Sequence, residues 1–338
     1  METSKPTQQP SAPARPKLPS KFANELWKAY AKQQKRKVRT GTLPSASVDI
    51  PLDDYVSFSE YLKSSNRIMA LFGAGLSAAS GVPTFRGPGG FWREYDCMTL
   101  ATPGAFFRDP ALMWQFYNYR RHGALKAKPN RAHVALAELA KKRPNYLAIS
   151  QNIDGAYVSK KRHGGVAADW PVHGSLFDIK CTNNQCDYVE KDNFKDPLVP
   201  ALQLPDDIDI SDAKIPLKDI AVEDLPHCPK CSSLLRPDIV WFGEALAQSS
   251  VERIHSWLDE GKVDLMLVVG TSALVYPAAG YIHSARVQGA RVALFNIEES
   301  EEEGAASNLK EGDWFLRGDA SKIVPEVLKE VIGVVPDA

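Results

Sequence analysis

A doubly wound parallel α/β sheet carrying a smaller inserted module is the architecture this sequence predicts, on three observations. Short apolar runs recur at Ile68–Phe72, Tyr146–Ile149, Val263–Val269 and Val292–Phe295. They are continuous rather than alternating, as strands are when helices cover both faces of a parallel sheet. Helical patterns lie between them. Ala132, Leu136, Leu139 and Ala140 share one face, and Ile323, Val327, Leu328 and Val331 share another. Third, the stretch from about 178 to 237 breaks this alternation with two close cysteine pairs and a polar, Asp-rich run from Leu204 to Asp224. It reads as an insertion.

The chain has 338 residues, 44% of them hydrophobic, which is enough for a sizeable core in one large or two unequal units. Lys plus Arg and Asp plus Glu both total 41, so no net field draws the protein to nucleic acid or to a membrane surface. No apolar run approaches the roughly 20 residues of a membrane-spanning helix. We therefore expect no direct nucleic-acid binding, no membrane association, and a monomer. Residues 1–47 form a basic, Pro- and Ser-rich tail expected to be flexible, in which Phe22–Val38 could form one short helix with Phe22, Leu26 and Tyr30 on a face. Glu2 and Glu25 are its only acids, which suits an organelle transit peptide; Lys35-Arg36-Lys37 with Arg39 suits a nuclear address. A solvated linker explains the tail equally well, so location stays open between mitochondria and the cytoplasm or nucleus. Residues 48–335 have globular texture, with a helical insertion at about 88–130.

The motifs fall where strands end. Gly73-Ala74-Gly75-Leu76-Ser77-Ala78 directly follows the first apolar run and fits G-x-G-x-x-[GA], in which small residues let backbone approach a pyrophosphate. Alone it is equally a ligand-free turn, and no acidic residue closes a second strand about 20 residues on, as a standard dehydrogenase needs. Gly81-Val82-Pro83-Thr84-Phe85-Arg86-Gly87 and Gly89-Gly90-Phe91-Trp92 follow instead. Gln151-Asn152-Ile153-Asp154 ends the next strand and offers groups that can bond a carboxamide and ribose hydroxyls, although a capped loop would look the same. Gly270-Thr271-Ser272 and Asn296 end two more strands. Among seven histidines, His173 stands in Val172-His173-Gly174-Ser175. Imidazole titrates where a neutral-pH base must. Cys181 and Cys186, then Cys228 and Cys231, are two close pairs in a chain without a secretory segment, which read as an all-cysteine zinc site rather than as disulfides. Cys97 has no second thiol near it in sequence and is expected to be dispensable.

Residues 73–87, GAGLSAASGVPTFRG, resemble the signature of the sirtuin family, and the other motifs follow in the family's order. The resemblance runs from about 66 to 331. It implies a Rossmann-like sheet with a smaller zinc-binding and helical module, and an NAD-consuming protein-lysine deacylase acting on acyl-lysine proteins or peptides. The acyl oxygen would displace nicotinamide from the ribose, His173 would be the general base, and the products would be free lysine, nicotinamide and O-acyl-ADP-ribose. It implies NAD contacts at Gly73, Ala74, Gly75, Ser77, Ala78, Pro83, Thr84, Phe85, Arg86, Gln151, Asn152, Ile153, Asp154, Gly270, Thr271, Ser272, Asn296, Ile297, Glu298 and Ala320. One structural zinc would sit on the four paired cysteines. Arg236–Glu244 resembles the segment that pairs with the substrate peptide, with Val240, Trp241 and Phe242 as contacts. The sequence departs from the family at Ala156-Tyr157, where Leu-His is usual, and at the Cys181–Cys186 spacing, which is wider than Cys-x2-Cys.

Acyl choice is read from Trp114–Arg121. Tyr117 and Arg120 are three apart and so share a helix face. A guanidinium beside a phenol suits a carboxylate. This FYxYRR context resembles the sirtuin class that removes malonyl, succinyl and glutaryl groups. Other readings stay open at this point: a plain deacetylase, a mono-ADP-ribosyltransferase using the same cleft, or a zinc-ribbon binding module with no catalysis.

Overall fold

The computed structural model describes residues 50–85, 89–155, 169–204, 209–297 and 304–336. The tail helix expected at Phe22–Val38, together with Arg86, Ala156-Tyr157 and Glu298, lies outside the described residues. In chain order the strands are β1 (Arg67–Phe72), β2 (Phe91–Trp92), β3 (Tyr95–Asp96), β4 (Asn145–Ser150), β5 (Asp169–Pro171), β6 (Gly174–Cys181), β7 (Val189–Glu190), β8 (Leu235–Ile239), β9 (Leu265–Val269), β10 (Arg291–Asn296) and β11 (Trp314–Arg317). The helices are α1 (Leu52–Ser64), α2 (Gly75–Ala78), α3 (Cys97–Leu100), α4 (Pro103–Arg108), α5 (Pro110–Lys126), α6 (Arg131–Lys142), α7 (Gln248–Asp259), α8 (Gly280–Val287) and α9 (Ala320–Ile332).

Six strands form one parallel sheet in the order β11-β10-β9-β1-β4-β5. The apolar runs become its centre, and their alternation sorts the two faces. Ile68, Ala70 and Phe72 pack with α1, α6 and α9, while Met69 and Leu71 pack with α7 and α8. The run expected to start at Val263 enters the sheet only at Leu265. Asp264, just before it, ties the start of the strand to its neighbour: its amide donates to the Arg67 carbonyl at 2.9 Å, and its carboxylate accepts from the Asn66 and Arg67 amides at 2.8 and 2.9 Å. The chain moves outward from β1 through β4 to β5, then returns to β9 on the opposite side of β1. The connections that follow β1 and β9 therefore lead to opposite sides of the sheet, which makes a switch point, where open α/β sheets hold ligands.

A second apolar cluster joins the elements of 91–126 to a three-stranded sheet, β7-β6-β8. Helix α5 is its axis. Asp109 caps it by accepting from the Leu112 amide at 2.8 Å, and Pro110 starts it with φ preset. It lacks a clean apolar stripe because it is surrounded, and its polar side chains serve neighbouring loops. Asn118 donates to the Leu202 carbonyl at 2.8 Å. Gln115 exchanges two bonds with the Lys218 backbone. Arg121 donates to the carbonyls of Leu176, Asn193 and Lys195. Buried polar groups persist only when bonded, so these residues hold irregular loops that the small sheet alone would not order.

Candidate functional site

The loops after β1 and β9 interlock. The Gly73 amide donates to the Val269 carbonyl at 3.0 Å and the Gly75 amide to the Gly270 carbonyl at 2.9 Å. A Cβ on Gly73 would lie 2.5 Å from Thr271 Cβ, and one on Gly75 2.8 Å from Gly270 Cα. These glycines are thus required by the approach of two loops, before any ligand is considered. Asn130, the cap of α6, donates to the Leu76 carbonyl at 2.8 Å and to Ser80 Oγ at 3.1 Å, holding the turn from the other side.

The carboxyl end of β4 adds the polar groups. Thr271 Oγ1 donates to Gln151 Oε1 at 2.8 Å, and Asn152 Nδ2 donates to the Gly73 carbonyl at 3.0 Å. Among the described residues those bonds leave Gln151 Nε2 and Asn152 Oδ1 uncommitted. Asp154 is buried, and desolvation raises its carboxyl above the ordinary range, against a Ser77 hydrogen bond and the charge of Arg120. His173 Nδ1 lies 2.9 Å from the Gln151 carbonyl. A carbonyl only accepts, so the proton of the neutral ring sits on Nδ1 and the lone pair on Nε2. Burial lowers the His173 pKa, while the bond to Gln151 acts in the opposite direction. The ring's place is set from behind. Val240 N donates to the His173 carbonyl at 2.9 Å, and Gly174 holds φ +78° with its missing Cβ 2.1 Å from the Asp238 oxygen.

Arg120 approaches the same region from α5. Its side chain is almost fully enclosed, with 6% exposure. Nη2 donates to the Pro83 carbonyl at 2.9 Å, and the guanidinium carbon stands 4.2 Å from the centre of the Phe85 ring. Burial lowers its pKa, with opposing contributions from Cys97, Tyr117 and Asp154; a guanidinium nonetheless stays charged in a protein. Among the described residues no carboxylate forms an ion pair with it. Tyr117 is wholly buried, and its oxygen accepts from Trp241 Nε1 at 2.7 Å.

Much of the Arg236–Glu244 main chain is already bonded within the protein. The amides of Val240, Trp241 and Phe242 already donate, to the His173 carbonyl, to Glu244 Oε2 and to the Ala101 carbonyl. The Trp241 ring faces the interior at 1% exposure. Of the carbonyls of these three residues, those of Val240 and Phe242 have no backbone partner among the described residues, whereas the Trp241 carbonyl accepts from Glu244 N.

Asn296 accepts from Ile297 N through its own side chain at 2.9 Å; Ile297 is 60% exposed, and Ala320 is buried at the start of α9. No hydrogen bond among the described residues links these three to the Gly73–His173 cluster. Ser272 uses its carbonyl to anchor Ala305 N at 2.9 Å. Ala78, Pro83, Thr84 and Ile153 lie in the loops just described, and the space Gly89 leaves is filled by Thr84, whose amide would be 2.5 Å from a Cβ.

The four paired cysteines converge, their Sγ atoms all within 4.8 Å of one another. Cys181 to Cys231 is 3.4 Å and Cys186 to Cys228 is 3.7 Å. Thiolates about 2.3 Å from one zinc ion in a tetrahedron stand about 3.8 Å apart, so the residues present fit that ion. The wide first pair is absorbed by a turn in which Cys186 N donates to the Asn183 carbonyl at 2.9 Å. Among the four sulfurs the thiols shift apart: hydrogen bonding from Ser233 lowers Cys231, whereas desolvation raises Cys181.

Three features escape a reading by motif. The Arg236–Glu244 ion pair, at 2.6 and 2.9 Å, closes the segment between them; an arginine and a glutamate bracketing an apolar run were its only trace. Asn130 and His133 form a capping box on α6 that supports α2, signalled only by a cap residue before an apolar period. Cys97 is buried, its thiol 3.9 Å from the Gly89 carbonyl and within reach of the charge of Arg120, a proximity across 23 residues that no spacing reveals.

Compared with known proteins, the chain matches a family model described as the Sir2 family over residues 73–277. It is 43% identical over 301 residues to a Candida albicans protein named NAD-dependent protein deacylase, covering 82% of this chain and 97% of that one. It is 43% identical over 259 residues to the Xenopus laevis mitochondrial NAD-dependent protein deacylase sirtuin-5A, covering 74% and 79%. A crystal structure of a Sir2 homologue–NAD complex superposes with a TM-score of 0.65 at 29% identity, covering 88% of this chain and 98% of that one.

Proposed function

The chain belongs to the Sir2 family, and from that premise we propose an NAD-dependent protein deacylase that prefers lysines bearing malonyl, succinyl or glutaryl groups. The deacylase activity is that of its relatives and of the fold. The acidic-acyl preference is carried by one observation: a buried Arg120, without a carboxylate partner among the described residues, beside Phe85 of the loop that follows the Gly73 turn. A permanent charge enclosed in this way is costly unless it is paired. The carboxylate of an acidic acyl chain pairs it.

The donor set suits NAD. The amides of Gln151 and Asn152 match a carboxamide, Asp154 matches ribose hydroxyls, and Thr271, Ser272 and Asn296 stand at the ends of β9 and β10. We assign Arg86 and Glu298 to the same cofactor by resemblance. NAD supplies an activated ribose carbon with nicotinamide as the leaving group. His173, neutral with Nε2 unprotonated, takes the proton from the hydroxyl that captures the acyl carbon; one water adds to that carbon, its bond to the lysine nitrogen breaks, and the proton goes to the departing amine. Val240 and Phe242 offer carbonyls to the peptide main chain, and the thiolates of Cys181, Cys186, Cys228 and Cys231 hold a zinc ion. With four protein ligands that ion has no open position and serves the fold alone.

Incubating the protein with NAD and matched acetyl-, malonyl-, succinyl- and glutaryl-lysine peptides tests the proposal. We expect free lysine and nicotinamide in equal amounts, fastest from an acidic acyl group. Preference for acetyl would remove the acyl assignment, and ADP-ribose attached to protein would replace deacylation by transfer. A second expectation concerns the metal. Elemental analysis should find one zinc per chain, and Cys228→Ser should lose the metal, the melting transition and the activity together, because such ions contribute directly to folding. Active protein without zinc would refute that role. With 41 charges of each sign the protein has no general pull towards nucleic acid or membranes, and we propose that it acts as a monomer.

A further inference from the structure

The indole of Trp241 donates to the Tyr117 oxygen at 2.7 Å in an enclosed space, with Tyr117 wholly buried. An indole N–H can only donate, whereas a phenol has one proton and an oxygen that accepts. The direction of the bond therefore follows from chemistry, and it leaves the phenolic proton of Tyr117 to be given elsewhere. Among the described residues nothing accepts it. Buried donors are normally matched, so this proton marks where an acceptor belongs. Tyr117 stands one helical turn before Arg120, whose charge acts on the phenol.

We propose that Trp241 is a positioning residue for acyl choice: by occupying the Tyr117 oxygen it turns the single phenolic proton towards the carboxylate of an acidic acyl chain held by Arg120. The inference rests on the acidic-acyl reading above and adds a residue to it. Trp241 is itself fixed on three sides. The Arg236 guanidinium carbon lies 3.3 Å from its ring centre, and Phe106 packs against it at 5.2 Å. Glu244 accepts both from Arg236, at 2.6 and 2.9 Å, and from the Trp241 amide at 2.9 Å. A series of contacts thus runs from half-buried Glu244 through buried Arg236 and Trp241 to Tyr117 on α5. The segment's invested hydrogen bonds explain why its tryptophan faces inward rather than towards a peptide.

The test is a double-mutant cycle on the ratio of kcat/KM for succinyl- over acetyl-lysine peptides. Trp241→Phe keeps an aromatic ring and removes the N–H. It should lower that ratio about fivefold, the factor that corresponds to one ordinary hydrogen bond. In the Tyr117→Phe background, which has no phenol to orient, Trp241→Phe should lower it no further. NAD affinity and melting temperature report whether the variants fold. Should Trp241→Phe not fold, the wild-type protein carries the test: the indole N–H resonance that moves in Tyr117→Phe should shift with a succinyl-peptide and not with its acetyl counterpart. A wild type with no preference for acidic acyl groups would overturn the acyl reading and this inference together. A wild type with that preference, whose Trp241→Phe loses both activities equally or additively with Tyr117→Phe, would overturn the role of Trp241 alone. So would an indole resonance indifferent to the acyl group.

Discussion

His173→Ala should lower deacylation by about two to four orders of magnitude, the usual contribution of a general base. NAD binding should change little, because Gln151 and Asn152 keep their bonds to Thr271 and Gly73 without the imidazole. The ring is joined to the cleft mainly through Nδ1 and the Gln151 carbonyl, while the backbone of residue 173 keeps its bond to Val240 in any variant. Loss of the side chain thus removes chemistry with little loss of architecture. Single-turnover rates beside NAD affinity by calorimetry separate the two, and turnover close to wild type would take His173 out of the mechanism. His173→Gln is a stricter variant, since it can still reach the carbonyl yet offers no base.

The same residue sets a pH dependence. Desolvation holds the imidazole below its ordinary value of about 6.5, so the ring stays neutral to more acid pH than an exposed histidine would. Activity that needs the free base should rise with pH along a limb whose midpoint lies below that value, and the limb should vanish in His173→Ala. Stability follows by linkage. Below the unfolded value the unfolded chain binds a proton that the folded chain resists, so this contribution is fully present above about 6.5 and is lost as pH falls from there towards the folded pKa. Melting temperatures of wild type and His173→Ala across this window should converge on the acid side. A rate midpoint above 6.5 would show that another group controls the limb.

The parallel sheet was legible because its strands are buried on both faces and therefore apolar throughout, a pattern that survives in one dimension. The site was legible where its residues are contiguous: the Gly73 turn, Gln151–Asp154 and the His173-Gly174 pair each sit in one loop. Their physical reasons were only half visible. Gly73 and Gly75 suggest room for a phosphate, but the structure shows them required first by the Gly270 loop. Trp241 reads as a peptide contact through the resemblance of its segment, whereas its partner Tyr117 lies 124 residues away. Helix α5 gave no amphipathic signal, because polar residues on a central helix were spent on loop carbonyls. Long-range pairing of buried polar groups leaves no period in the sequence, and Arg120, whose partner Pro83 lies 37 residues away, is of that kind.

Arg120→Met should lower the succinyl-to-acetyl ratio of kcat/KM by about ten- to a hundredfold, the range for one charge-assisted hydrogen bond. Methionine fills similar space among Phe85, Phe116 and Tyr117 without charge or donors, so the pocket keeps its apolar walls. The structure adds a second effect. Arg120 Nη2 holds the Pro83 carbonyl at 2.9 Å, and its guanidinium covers Phe85, so the variant also loosens the turn that precedes Arg86. The KM for NAD should therefore rise with every acyl-peptide, while the acyl ratio falls in addition. Arg120→Lys separates the contributions. A lysine keeps the charge and one donor but cannot present two parallel N–H groups, so it should recover part of the acyl ratio. Steady-state kinetics of wild type and both variants, on matched peptides at saturating NAD, read the acyl term alone. An unchanged ratio in Arg120→Met would assign the guanidinium to the cofactor turn only, and the charge enclosed beside Phe85 would then serve loop structure rather than substrate.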